Sequence, residues 1–191
     1  MDAYLLNELK NVSHSMFSKN YFGVFHGSIS AKIAVNAFVI NKKEVILDEV
    51  NKDDFIELVC NIKKDYRWKD ASVDAEIHEK IYRTLPQAKY ISYTMPPYAT
   101  AYSLNHDVII PKDYYGATIL KNIFVYDPKG FDDWEERALD EISDFFQNNN
   151  SHLLLIKGFG LISYDRDLTE MVKKVAILEN SCRLLTIHSM N

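Results

Sequence analysis

Little in this chain points to a covalent staple, a membrane anchor or a polyanion-binding surface. Only two cysteines, Cys60 and Cys182, occur in 191 residues, and they do not form a CxxC pair. Both lie among apolar residues in segments expected to be helical, so they read as small buried hydrophobes of a protein in a reducing compartment. No apolar stretch approaches the roughly 20 residues needed to span a bilayer. The opening Met1-Asp2-Ala3-Tyr4 lacks a basic region followed by an apolar run, so no signal peptide is expected. A concentrated basic patch is also missing. The formal net charge is -5, and the adjacent basic pairs are Lys42-Lys43, Lys63-Lys64 and Lys173-Lys174. Such pairs read as solvated turns or helix faces. These absences argue against nucleic acid and membrane partners and favour a cytoplasmic location. There is no internal repeat, and the one polar run, Gln147 to Ser151, reads as a loop.

What is present is an ordinary globular balance, with 47% hydrophobic and 26% charged residues. One domain over residues 1–191 is expected. Apolar periodicity predicts a helix over 2–19, carrying Leu5, Leu9, Val12 and Met16 on one face. Short strands are expected at 29–34, 37–40 and, after a turn at Asn41-Lys42-Lys43, at 44–47. A helix is expected over 53–62 and another over 74–85, ended by Pro86. A strand over 89–94 leads into a helix opened by Pro96-Pro97, because proline is tolerated in a first helical turn. A strand at 122–126 precedes a helix from Asp133, which has Glu136 at capping-box spacing. Strands at 152–156 and 161–164 pair, and a last helix starts at Asp167 with an inner stripe of Leu168, Met171, Val172, Val175, Leu178 and Cys182. Closely spaced early strands leave no room for helical crossovers. The expected fold is therefore α/β, a three-layer α/β/α arrangement around a central mixed, largely antiparallel sheet.

Four segments carry chemistry. The first is His26-Gly27-Ser28-Ile29-Ser30-Ala31-Lys32, where glycine permits exposed amides, the serines offer hydroxyls and Lys32 supplies charge. On local grounds alone it is a Gly-Ser turn entering a strand. The second runs from Ala71-Ser72-Val73-Asp74 through His78 to Pro86-Gln87-Ala88. Its local reading is a helix capped by Ser72 and Asp74, with His78 a hydrogen-bonded interior histidine. The third is Tyr93-Thr94-Met95-Pro96-Pro97-Tyr98-Ala99-Thr100-Ala101, and the fourth is the apolar run Leu153 to Ile156 followed by Lys157-Gly158-Phe159-Gly160-Leu161.

Taken in order, these segments resemble the class II aldolase and adducin N-terminal family, and the resemblance extends from about Met16 to Leu185. Family members carry Gly-Asn-x-Ser-x-Arg in the first segment, so the resemblance implies a phosphate-binding site at Gly27, Ser28, Ser30 and Lys32. Lysine there keeps the charge but loses arginine's bidentate fork. The second segment is similar to Ser-Ser-Glu-x-x-x-His. It implies that Ser72 helps bind phosphate and that Asp74 stands at the catalytic acid/base carboxylate, about 1.5 Å short of the glutamate's reach. The family's Thr-Gly after the early strands appears as Asn41-Lys42.

The resemblance also implies zinc held by three histidines, and here the chain departs. Tyr93, Met95 and Phe159 occupy those positions. Neutral tyrosine and a thioether are poor zinc donors, and phenylalanine offers no donor. His14, His26, His106, His152 and His188 do not stand at ligand spacings. No metal or other cofactor is therefore expected. The implied ligand is a small phosphorylated sugar, and the implied assembly is a homo-oligomer, a tetramer by resemblance. Three functions stay open: a zinc-free binding protein, a metal-free acid/base lyase or isomerase using Asp74, Tyr93 or His26, and a structural partner subunit.

Overall fold

The computed structural model describes residues 1–24, 26–60 and 63–190. Helix α1, Ala3–Ser18, is capped by Asp2, whose carboxylate accepts from the Leu5 amide at 2.8 Å. It buries Leu9 and Met16. Strands β1, Ser28–Ala34, and β2, Ala37–Asn41, form an antiparallel hairpin across Val35 and Asn36. Strand β3, Phe55–Val59, pairs with β2, and helix α2, Ala75–Thr84, follows. Strand β4, Tyr90–Thr94, leads into the short helix α3, Pro97–Ser103. A two-residue strand β5, Val108–Ile109, and strand β6, Ile123–Tyr126, come next. Helix α4, Trp134–Asn148, is followed by β7, Leu153–Ile156, β8, Gly160–Asp165, and the long helix α5, Leu168–Ser189.

The eight strands form one sheet in the order β3-β2-β1-β4-β8-β7-β6-β5. Among the described residues only β6 and β7 pair in parallel; all other neighbours are antiparallel. One apolar core joins α1, α3 and α5 to one face of this sheet, and a second joins α2 and α4 to the other. The expected three-layer α/β/α class with a mixed, largely antiparallel sheet is the observed one. β7 explains its own sequence. Leu153 and Leu155 belong to the first core, Leu154 and Ile156 to the second. A strand buried on both faces reads as an unbroken apolar run. Among the described residues, no helix is long and apolar enough to cross a membrane.

Three expected elements differ. The segment 44–47 forms no strand; Glu44 turns through a positive φ of 60° and the chain runs irregularly, burying Leu47 and Val50. The helix expected over 53–62 is instead a 3-10 turn, Lys52–Asp54, followed by β3; residues 61 and 62 lie outside the described residues. Phe55, Ile56 and Val59 are aromatic or β-branched, and pairing with β2 supplies backbone partners that local propensity cannot foresee. Cys60 therefore follows a strand and is half-buried, whereas Cys182 is fully buried in α5. Finally, Asp133 does not cap α4 through its side chain; its carboxylate pairs with Arg137 at 2.9 Å. The cap at Asp167 is present, with its carboxylate accepting from the Glu170 amide at 3.0 Å.

Candidate functional site

A glycine precedes β1 for a steric reason. Gly27 has φ +122°, and a Cβ there would lie 2.5 Å from the Phe22 ring. The alternation of β1 then sends Ser28 and Ser30 to the α2 side of the sheet, while Ile29 and Ala31 enter the opposite core. His78 of α2 meets both serines. Its Nε2 lies 3.0 Å from Ser28 Oγ and its Nδ1 2.7 Å from Ser30 Oγ. Ser30 Oγ also lies 2.7 Å from Tyr82 OH. His78 is fully buried, and burial pushes its pKa down from 6.5 to about 3. The ring is neutral at pH 7, so one nitrogen donates and the other accepts. His78 is thus the hydrogen-bonded interior histidine that the sequence suggests.

Asp74 stands just before α2. Its carboxylate accepts from the Ser72 hydroxyl at 3.4 Å, and its amide donates to Ser72 Oγ at 3.3 Å. Burial raises its pKa, and hydrogen bonds from Ser28 and Ser72 partly oppose that. Asp74 makes no side-chain cap to α2. Tyr93 of β4 lies near enough for the Asp74 charge to add to the burial that raises its phenol pKa well above the ordinary value. The Tyr93 hydroxyl donates to the Phe159 carbonyl at 2.7 Å. The two rings stack at 4.9 Å, and Trp134 meets Phe159 edge-on at 5.6 Å. Gly160 lies between Tyr93 and Met95. At φ +132°, a Cβ would approach Thr94 O to 2.5 Å, Met95 Cγ to 2.9 Å and Tyr93 Cε2 to 3.0 Å. Residues distant in sequence, Tyr93, Met95 and Phe159, therefore converge.

A cavity of about 660 Å³ opens over this convergence. Gly27, Ser72, Asp74, Tyr93 and Phe159 are among the residues that line it. Ser28, Ser30 and Lys32 do not line it. The serine hydroxyls face His78, and Lys32 Nζ donates to the Tyr82 carbonyl at 3.2 Å. Met95 lines a neighbouring cavity of about 490 Å³, and His26 lines both. The rim also carries Lys42 and Lys43, which make no ion pair among the described residues. From sequence this pair reads as a solvated turn. Its role at the rim follows from backbone bonds that hold the turn: Lys42 N to Asp54 O at 2.8 Å and Lys43 N to Asp70 O at 3.1 Å. Chemically the cavity offers two lysines with Glu44 beside them at the rim, the buried carboxyl of Asp74, one imidazole and an aromatic wall.

The chain is a three-layer α/β/α protein around a mixed sheet, with a cavity lined by Lys42, Lys43 and the buried carboxyl of Asp74. The chain belongs more particularly to the Class II Aldolase and Adducin N-terminal domain family, whose pattern matches residues 7–186. It is 25% identical over 179 residues to an L-fuculose phosphate aldolase of Methanococcus vannielii, covering 94% of each chain. Its fold is similar to L-fuculose-1-phosphate aldolase from Thermus thermophilus, with TM-score 0.87, 22% identity and 99% and 96% of the two chains covered. It is also similar to a sugar-phosphate aldolase from Thermotoga maritima, with TM-score 0.72, 14% identity and 98% and 96% covered.

The residues present do not fit the zinc that the family resemblance implies. The Tyr93 phenol is neutral and already donates to a carbonyl, Met95 offers a thioether, and Phe159 has no lone pair. Among the described residues, no group of three or more His, Cys, Asp or Glu side chains is placed to hold a metal ion.

Proposed function

We propose that this chain is a zinc-free member of its family whose main cavity binds a small phosphorylated sugar, without zinc-dependent aldol cleavage. The observation that carries this reading is the Tyr93–Phe159 stack, locked by a 2.7 Å hydrogen bond where the family's metal ligands are expected. An aromatic plug has replaced a Lewis acid, and the stabilisation of an enediolate that depends on one goes with it. Relatives described as sugar-phosphate aldolases support the ligand class. So do Lys42 and Lys43 at the rim, which make no ion pair among the described residues and outnumber the adjacent Glu44, with Gly27 and Ser72 inside. Ser28, Ser30 and Lys32 act from behind the cavity in this reading, by seating His78 and Tyr82.

A second reading is metal-free acid/base catalysis by Asp74 as a lyase or isomerase. The raised carboxyl pKa in the cavity wall favours it. Homo-oligomerisation completes the proposal. Exposed Ile110, Tyr114, Tyr115 and Phe124 near the β5 edge are apolar groups suited to a protein contact. The binding reading is tested by thermal shift with a panel of sugar phosphates. A ligand at 100 times its Kd adds about 2.7 kcal/mol, and for a chain of this size each kcal/mol raises Tm by about 2–4 °C. A rise of about 5–10 °C is expected for at least one sugar phosphate, and Lys42→Ala/Lys43→Ala should abolish it. An unchanged Tm across the panel would refute the phosphate reading.

A further inference from the structure

Asp74, His78 and Tyr82 are spaced by four residues and share one side of α2 and its entry turn. Ser28 and Ser30 are spaced by two and share the side of β1 that meets them. Their polar groups join end to end. The Asp74 carboxylate accepts from the Ser28 hydroxyl, and Ser28 Oγ lies 3.0 Å from His78 Nε2. His78 Nδ1 lies 2.7 Å from Ser30 Oγ, which lies 2.7 Å from Tyr82 OH. At the far end Tyr82 OH reaches the Lys89 carbonyl at 3.4 Å. Ser28, Ser30, His78 and Tyr82 are buried, and Asp74 at the near end lines the main cavity.

Proton counting fixes the direction of this line. An ionised carboxylate only accepts, so Ser28 donates to it. Ser28 Oγ then accepts from His78 Nε2–H, His78 Nδ1 accepts from the Ser30 hydroxyl, and Ser30 Oγ accepts from Tyr82 OH. A protonated Asp74 donates to Ser28 instead, and every bond reverses. His78 then carries its proton on Nδ1, and Tyr82 OH donates to the Lys89 carbonyl. That carbonyl also accepts from the Lys32 amide at 2.8 Å, so it has a partner in either direction. Asp74 gains one proton in the reversal. Every other group keeps its own count, and the ring proton moves from Nε2 to Nδ1. Both directions leave the buried hydroxyls and the ring paired, which a single fixed donor could not achieve.

We infer that Ser28, His78, Ser30 and Tyr82 form a reversible relay of positioning residues for Asp74, in which the tautomer of His78 follows the protonation of Asp74. Ser28 thereby offers Asp74 a donor when it is a base and an acceptor when it is an acid. Burial holds the His78 pKa at about 3, so above that the ring changes tautomer and not charge. Around Asp74 stand Tyr93 of β4 and, on the same cavity, His26, Lys42, Lys43 and Glu44. Lys32, Cys60 and Tyr90 stand near Tyr82. Their charges move the pH of the reversal and not its coupling. Among the described residues, no charged side chain other than Asp74 bonds the hydroxyls or the ring. The inference deepens the acid/base reading of Asp74 and does not depend on sugar-phosphate binding.

The test is NMR of the full chain, ligand-free, with 15N-labelled histidine and 13C-labelled aspartate, from about pH 4, above the His78 value, to about pH 9. The Asp74 carboxyl carbon reports its proton, and the two His78 nitrogens report the tautomer. Nε2–H is expected while Asp74 is ionised and Nδ1–H once it is protonated, with one midpoint shared by both residues. Asp74→Asn, neutral throughout, should hold one tautomer at every pH. Tyr82→Phe takes away the acceptor that the Ser30 hydroxyl needs in the reversed line, so Nε2–H should persist in acid. The inference is overturned by a single tautomer in the wild type, by an imidazolium in this range, or by an Asp74 that keeps one protonation state throughout. It is also overturned if the tautomer change survives in Asp74→Asn or is unaltered in Tyr82→Phe. Sugar-phosphate thermal shifts read occupancy and turnover assays read catalysis. The ring reads neither, so those readings and the relay fail separately.

Discussion

His78 and Asp74 sit one helical turn apart, both buried, and they respond to pH in opposite directions. Burial holds the His78 pKa at about 3 against 6.5 in the unfolded chain. The unfolded state therefore binds more protons between those values. Stability is complete above pH 6.5 and is lost as pH falls toward 3, with a total on the order of 5 kcal/mol. Asp74 has its pKa raised by burial. The folded state holds that proton longer, so stability is complete below the ordinary carboxylate pKa and declines as pH rises through the folded value. Urea midpoints measured from pH 3 to 7 check both. His78→Asn should flatten the acid limb, at lower overall stability because Ser28 and Ser30 lose their partner. Asp74→Asn should raise stability at neutral pH and lose that advantage in acid. Unchanged profiles in both variants would contradict the burial assignments. At this scale the sequence was readable where one residue has one local role, as for His78 in the helix interior. It was not readable where a hydroxyl has two possible directions. Ser28 and Ser30 look like ligand groups beside Gly27, and only the pleat of β1 turns them toward α2.

Among the elements, the hairpin joining β7 and β8 has the tightest steric demands. Gly158 and Gly160 both have positive φ, and Gly160 passes within a Cβ's reach of the Thr94 carbonyl. Gly160→Ala should cost about 2–4 kcal/mol and lower Tm by about 10 °C. Gly130→Ala, which meets nothing within 4 Å, should leave Tm nearly unchanged. Paired melting curves decide this, and equal effects would refute the close-packed hairpin. Element type was legible where periodicity and caps agreed, as in α1 with Asp2 and α5 with Asp167. It failed at 53–62, where acidic residues and apolar spacing imitate a helix start. β3 takes its partners from β2, and that pairing has no local signature. The expected strand at 44–47 failed for the reverse reason: it has strand-like residues but no neighbouring strand to pair with.

For the whole molecule, strand order was not legible from periodicity, because β1 pairs with β4 and β4 with β8 across long stretches of chain. The family motifs supplied what local patterns lacked, since they carry a known order of strands and helices. The same order brings Tyr93, Met95 and Phe159 together around Gly160. Lysines of the irregular segment after β2 face this cluster across the main cavity, and their role depends on tertiary placement that a charge count cannot supply. The most direct measurement is calorimetric titration of zinc into the full chain, beside a Tyr93→His/Met95→His/Phe159→His variant. The wild type should take up no zinc, and the variant, with three imidazoles at converging positions, should bind one ion per chain. One tightly bound zinc per wild-type chain, weakened by Tyr93→Phe, would contradict the account.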